Sequence, residues 1–128
     1  MTGKPKFLLC GVCGNMADLI ADRGAALSCC GKAMTELVPN TEEASTEKHL
    51  PAAAAVDGGV DVQVGGVPHP MEEAHYIAFI HVASEQGGQR QNLKPGDSPK
   101  RSFRFLNDKP AAAYAYCNLH GLLKTDIP

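Results

Sequence analysis

The middle of the chain alternates apolar and polar side chains with a period of two residues. Val60, Val62 and Val64 are separated by the polar residues Asp61 and Gln63. This period is typical of a β-strand that buries one face, because successive side chains point to opposite sides of a sheet.

Three further runs have strand character. YIAFIHVAS is apolar on both faces and predicts a central strand. SFRFL and AAAYAYC each place alternate residues on opposite faces, and the intervening PHP, QGG, KPGDSP and NDKP are turn-forming. No segment shows a sustained helical stripe, so the pattern predicts a mainly β chain with a small antiparallel sandwich or barrel.

Two changes in composition divide the chain. Residues 1–38 contain four clustered cysteines and short apolar runs, which predict a small unit of a few strands. Such a unit buries too little apolar surface to be stable alone, and a bound metal is the usual remedy. The polar, acidic stretch at 39–48 predicts an exposed linker, and 39–128 predicts the second domain.

Composition and charge exclude several functional classes. The 128 residues carry 12 basic and 14 acidic side chains, a formal charge of −2, which does not favour nucleic acid or anionic membranes. The apolar runs are too short to cross a bilayer, and the N-terminus lacks signal-peptide features. We therefore expect a cytoplasmic protein, in which clustered cysteines indicate metal or redox chemistry.

The four N-terminal cysteines have the spacing of a metal site. Two cysteines two residues apart can bind one metal from a tight loop, and a second pair completes a tetrahedron suited to zinc or a single iron. Four reduced thiols, a strained vicinal disulfide and a purely structural zinc remain as alternatives. The candidate ligands are Cys10, Cys13, Cys29 and Cys30.

A second group of candidate ligands lies beside turns and strand ends. One of its members, Cys117, has His120 three positions later, so both side chains can reach one metal from a single loop. Several imidazoles and one thiolate suit a redox-active iron better than zinc, which prefers four ligands. The candidates are His49, His69, His75, Cys117 and His120, whereas His81, in mid-strand, is interpreted as structural.

These motifs together resemble the desulfoferrodoxins, the two-iron superoxide reductases. CGVCG and SCCGKAM resemble the desulforedoxin module, and EKHLP, VPHPMEEAHYI, LKPGD and CNLHG resemble the catalytic module in the same order. The resemblance implies an immunoglobulin-like β-sandwich and two irons per chain. One iron would be held by the four N-terminal cysteines, and the other by four equatorial histidines with Cys117 as axial ligand.

The resemblance also implies an activity. Superoxide would be reduced by one electron to hydrogen peroxide without release of dioxygen, and a small carrier such as rubredoxin would supply the electron. Glu47 and Lys48 would lie on a lid loop, where Glu47 binds the oxidised iron and Lys48 attracts superoxide by its charge. The family's desulforedoxin-like modules commonly pair, so a homodimer is expected.

Three other interpretations are open from the residues alone. The protein could be a non-catalytic iron electron carrier or a zinc-stapled binding module, and Glu47 and Lys48 could be ordinary surface charges on a connector. The charged EKH motif weighs against an electron carrier, which needs no open metal position.

Overall fold

A computed structural model describes residues 4–40, 50–66 and 68–128 of the chain. These residues divide into two compact units, Lys4–Val38 and a second unit that begins at Pro39. All regular structure in the described part is β-strand, as the sequence predicts. None of the described residues forms a helix with the length and apolar character needed to span a membrane.

The N-terminal unit contains five short strands. Three of them form an antiparallel sheet in the order β2-β1-β5, and the other two form a hairpin. Its buried apolar side chains among the described residues are few, namely Phe7, Leu8 and Cys10. The strands are β1 (Phe7–Leu9), β2 (Met16–Asp18), β3 (Ser28–Cys29), β4 (Lys32–Ala33) and β5 (Thr35–Glu36).

The second unit is a β-sandwich of the immunoglobulin-like kind. A three-stranded sheet has the order β10-β7-β6 and a four-stranded sheet has the order β12-β11-β8-β9. Every strand pair within these sheets is antiparallel. The strands are β6 (Pro51–Val56), β7 (Gly59–Val64), β8 (Ile77–Ser84), β9 (Gly87–Asn92), β10 (Lys100–Arg104), β11 (Pro110–Cys117) and β12 (Gly121–Asp126).

The core lies between the two sheets and follows the predicted alternation. Val60, Val62 and Val64 of β7 are all buried and pack in one cluster with Phe103 of β10. The four-stranded sheet contributes alternate residues of β11, which end with Cys117. Because Cys117 is both a core residue and the last residue of its strand, the packed sandwich fixes its position at the end of β11.

A β-bulge interrupts β8 next to Cys117. Tyr116 pairs with Phe79, but the next residue, Cys117, pairs with Ile77, so Ala78 is extra in β8. Ile77 and Ile80 consequently both face the core although they are three positions apart. Bulges bend a strand and redirect its side chains, and this one changes the path by which the chain enters β8.

Two strands differ from the sequence-based expectation. The expected β pattern began near residue 60, but β6 already occupies Pro51–Val56 and pairs with β7 along its whole length. QGG was expected to be a turn, and Gln86 does lie in the turn after β8, but Gly87 and Gly88 belong to β9, which pairs with β8. Alanine, glycine and glutamine have weak β-propensity, so pairing with a neighbouring strand decides both segments.

Candidate metal centres

The sulfur atoms of the N-terminal cysteines converge on one point. All four lie within 4.8 Å of one another, and Cys10 is buried whereas Cys13 and Cys30 are exposed. The Sγ atoms of Cys29 and Cys30 are 4.0 Å apart, so the vicinal pair forms no disulfide. A four-thiol group of this size fits a tetrahedral metal ion.

Backbone conformation brings the vicinal pair into one site. Cys29 ends β3, and the two-residue turn that follows has positive φ at both Cys30 (54°) and Gly31 (75°). This is the pattern of a type I′ hairpin turn. A left-handed conformation costs a non-glycine residue about 1–2 kcal/mol, and here it turns the second sulfur toward the same point as the first.

Two backbone N–H groups donate hydrogen bonds to the sulfur of Cys10. Val12 and Cys13 donate to Cys10 Sγ at 3.4 and 3.5 Å. The N–H groups of Cys13 and Val12 lower the pKa of the Cys10 thiol to about 6. Hydrogen bonds with Cys13, Cys10 and Cys29 raise the pKa of Cys30 to about 12. A metal must therefore displace protons from some of these thiols as it binds.

A second group lies at one end of the sandwich. It comprises His69, His75, Cys117 and His120, whose ligand atoms all lie within 4.8 Å of one another. The ring of His75 is in edge contact with both other imidazoles, with centroid distances of 4.6 Å to His69 and 5.0 Å to His120. Cys117 is fully buried and His120 is exposed, so the group extends from the core to the surface.

The β11–β12 hairpin supplies two of these ligands. Cys117 pairs with Gly121, and His120 lies in the turn between them. Cys117 Sγ is 3.6 Å from Nδ1 of His120, so this imidazole presents Nδ1 to the sulfur. Gly121 has φ of 84°, a left-handed conformation that glycine adopts without strain and that closes the turn.

The connection between β7 and β8 supplies the other two ligands. His69 N–H donates to Val64 O at 3.0 Å, which anchors this loop to the end of β7. His69 Nδ1 lies 2.8 Å from Pro70 O. A carbonyl only accepts, so Nδ1 carries the proton and Nε2 keeps the lone pair that a metal needs. His69 is only 3% exposed, which holds that orientation.

The donor set fits iron. Three imidazoles and one thiolate provide nitrogen and sulfur donors for a transition metal, and the four-thiol group provides sulfur donors alone. Each of the two groups draws its ligands from two separate segments of the chain. Glu47, Lys48 and His49 lie outside the described residues, and His81 lies on β8 apart from both groups.

One residue that the sequence-based argument overlooked joins the second group. Asn118 follows Cys117, and its side chain bonds to the backbone on both sides of His75. Its position within CNLHG was the available signal, but the partners are more than forty residues away and no local pattern identifies them.

These features define a two-centre metalloprotein: a four-thiol site in a small unit, and a histidine–thiolate site on a β-sandwich.

Comparison with known proteins supports this class. The family model for Desulfoferrodoxin matches residues 41–126. A desulfoferrodoxin from Syntrophotalea carbinolica is 39% identical over 126 residues, covering 98% of this chain and 99% of the relative. A desulfoferrodoxin homolog from Archaeoglobus fulgidus is 41% identical over 122 residues, covering 95% and 97%.

Solved structures give the same result. The superoxide reductase from Treponema pallidum superposes with a TM-score of 0.78 at 27% identity, covering 95% of this chain and 97% of that one. The chain belongs to the desulfoferrodoxin family, and its fold is that of superoxide reductases. The four-cysteine and histidine–cysteine groups are consistent with the two iron sites of this family.

Proposed function

We propose that the protein is a superoxide reductase, which converts superoxide and two protons to hydrogen peroxide with one electron and releases no dioxygen. The observation that carries this proposal is the convergence of three imidazoles and one buried thiol within 4.8 Å at the sandwich end. Family membership and superoxide reductases of the same fold support it.

Iron bound at this group would supply the electron that superoxide takes up. Cys117 would contribute an anionic sulfur, and its burial in the core protects that sulfur from solvent. His69, His75 and His120 would hold the ion together with Cys117, and His49 would be the fourth imidazole. The exposed edge at His120 leaves the group accessible to a small anion.

Two charged residues complete the proposal. Lys48 would attract superoxide by its positive charge and stabilise the negative charge that the substrate gains as it is reduced. Glu47 would bind the oxidised iron between turnovers. The four N-terminal cysteines would hold a second iron, and a rubredoxin-like carrier would deliver electrons to a homodimeric, cytoplasmic enzyme.

Product stoichiometry tests the activity. Iron-loaded protein, reduced beforehand, is exposed to a known pulse of superoxide, and hydrogen peroxide and dioxygen are both measured. A reductase gives one hydrogen peroxide per superoxide and no dioxygen, whereas dismutation gives half as much peroxide and releases dioxygen. If superoxide oxidises the iron no faster than dioxygen does, the proposal is contradicted. The protein would then be interpreted as a non-catalytic electron carrier.

A matched pair of variants tests the site. Cys117→Ser removes the proposed sulfur ligand, and Cys13→Ser removes a ligand of the other centre. We expect superoxide reduction to be lost only in Cys117→Ser. Loss in Cys13→Ser alone would transfer the activity to the four-thiol site and overturn the assignment.

A further inference from the structure

The ligands of the second centre come from two segments far apart in the sequence. His75 lies in the loop that leads into β8, and Cys117 and His120 belong to the β11–β12 hairpin. Residues 72–74 and 118–120 are exposed, so packing in the core does not by itself fix the separation of the two loops. The strand pairing between β8 and β11 reaches only to Ile77 and Cys117.

The side chain of Asn118 spans this gap. Its Oδ1 accepts a hydrogen bond from the N–H of Tyr76 at 2.8 Å, and its Nδ2 donates to the carbonyl of Ala74 at 3.1 Å. Ala74 and Tyr76 are the two neighbours of His75. The backbone N–H of Asn118 also donates to Tyr76 O at 3.2 Å. The two partners differ in kind, one donor and one acceptor, and the side-chain amide of Asn118 satisfies both through its separate oxygen and nitrogen atoms.

The backbone of His75 itself is held from the other side. The N–H of His75 donates to Glu72 O at 3.0 Å, and the N–H of Glu72 donates to His75 O at 2.9 Å. The two peptide groups that flank His75 are therefore hydrogen-bonded at both their N–H and their C=O groups. Two of these four bonds lead to the side chain of Asn118, whose neighbour in the chain is the thiol ligand Cys117.

We propose that Asn118 is a positioning residue for the second metal centre. By bonding on both sides of His75, it fixes the distance and direction of that imidazole relative to Cys117 and His120. Groups that orient metal ligands affect metal affinity and the electronic properties of the ion. This inference rests on the metal centre of the proposed function, and it does not depend on superoxide being the substrate.

A matched set of variants separates positioning from general stability. Asn118→Ala removes both side-chain bonds, and Asn118→Asp keeps an acceptor for Tyr76 but loses the donor to Ala74. The control is Gln86→Ala, because Gln86 Nε2 also links two loops, donating to Asn107 O at 2.7 Å. That contact lies beyond the last residue of β8, at the end of the sandwich opposite to Ile77 and Cys117.

The measurement is cobalt(II) and iron(II) binding to the full chain, in competition with a chelator. The four-thiol centre has a distinct absorption spectrum and serves as an internal reference for correct folding. Circular dichroism checks that each variant has the secondary structure of wild type. The thiolate-to-metal charge-transfer band of the second centre reports whether the ligands keep their arrangement.

For Asn118→Ala we expect affinity at the second centre to fall by about 10–100-fold and its charge-transfer band to shift. The affinity of Asn118→Asp should lie between those of Asn118→Ala and wild type, and the affinity of Gln86→Ala should equal that of wild type. The four-thiol centre should be unchanged in all three. Asn118→Ala that binds as tightly as wild type with the same spectrum would overturn the proposal, even if its thermal stability falls.

The outcomes separate this inference from the proposed function. A wild-type protein that binds the second metal but does not reduce superoxide would refute the function alone. A wild-type protein that reduces superoxide, together with unchanged metal binding by Asn118→Ala, would refute the positioning role alone.

Discussion

Cys117 Sγ lies 3.6 Å from Nδ1 of His120, across a turn of only two intervening residues. The thiol is a core residue and the imidazole is exposed, so the shortest loop of the site joins its most buried ligand to its most accessible one. The position of one metal ligand, Cys117, therefore depends directly on how β11 packs in the core.

Replacing the buried thiol should abolish the second centre without unfolding the sandwich. In Cys117→Ser we expect iron to fall from two towards one per chain, because a hydroxyl is a poor ligand compared with a thiolate. Metal analysis and the loss of the thiolate-to-iron absorption check this.

The control for Cys117→Ser is Ala115→Ser, which places a hydroxyl at the preceding inward-facing position of β11. A buried hydroxyl costs about 1–3 kcal/mol of stability there but removes no ligand. Equal iron loss in both variants would show that packing, and not ligation, controls the second centre.

Closing the β11–β12 turn requires a left-handed residue at Gly121. Gly121→Ala should cost about 1–2 kcal/mol of unfolding free energy, because the added Cβ meets no atom within 4 Å and only the backbone is strained at φ 84°. Gly58→Ala at φ 75° carries the same strain in the β6–β7 turn. Urea unfolding should give similar losses, whereas chelator competition should show weaker metal binding only in Gly121→Ala. Equal metal affinity in the two would contradict a special role for this turn.

Removing metal should unfold the N-terminal unit and spare the sandwich. The buried apolar residues described in Lys4–Val38 are only Phe7, Leu8 and Cys10, too few to offset the loss of chain entropy without a metal. Hydrogen exchange after chelation should show lost protection in β1 and retained protection in β7 and β11.

Cys13→Ser should produce the same pattern without a chelator, since it removes one ligand of the four-thiol site. Protection that persists in β1 of the metal-free protein would show that the unit is stable on its own.

The sandwich core should respond to truncation in the usual way. Ile80 is fully buried between the sheets, so Ile80→Ala should cost about 2–5 kcal/mol through lost burial and a residual cavity. Leu106 is 87% exposed, and Leu106→Ala should change stability by less than about 0.5 kcal/mol. Thermal and urea unfolding measure both, and a large loss in Leu106→Ala would place that side chain in a contact absent from this structure.

Much of the fold was predictable because apolar and polar residues alternate where one face is buried. Val60, Val62 and Val64 are buried as their spacing predicts, and YIAFIHVAS does form an interior strand of its sheet. β6 and β9 were not predicted, since PAAAAV and GGQRQN have little strand character of their own. They become strands by pairing with β7 and β8.

The candidate site shows the same division. The cysteine spacing predicted the first group, and CNLHG with the histidines beside turns and strand ends predicted the second. Within the described residues, Cys117 and His120 do converge with His69 and His75. The role of Asn118 and the bulge in β8 depend on contacts between distant segments, which spacing cannot reveal. The assignments of Glu47, Lys48 and His49 stay predictions.

The bulge at Ala78 bears on which changes in chain length such a site tolerates in evolution. An in-frame loss of that one codon would make the pairing between β8 and β11 regular and leave Ile77 opposite Cys117, because the bulge carries its extra residue on β8 alone. His75 would still lie two residues before Ile77, beside the β11–β12 turn, and only the bend in β8 would be lost. A codon lost between His75 and Ile77 would instead move His75 along the chain relative to Cys117, by about 3.3 Å. We expect related chains to differ in length at the bulge more readily than in the two residues that follow His75.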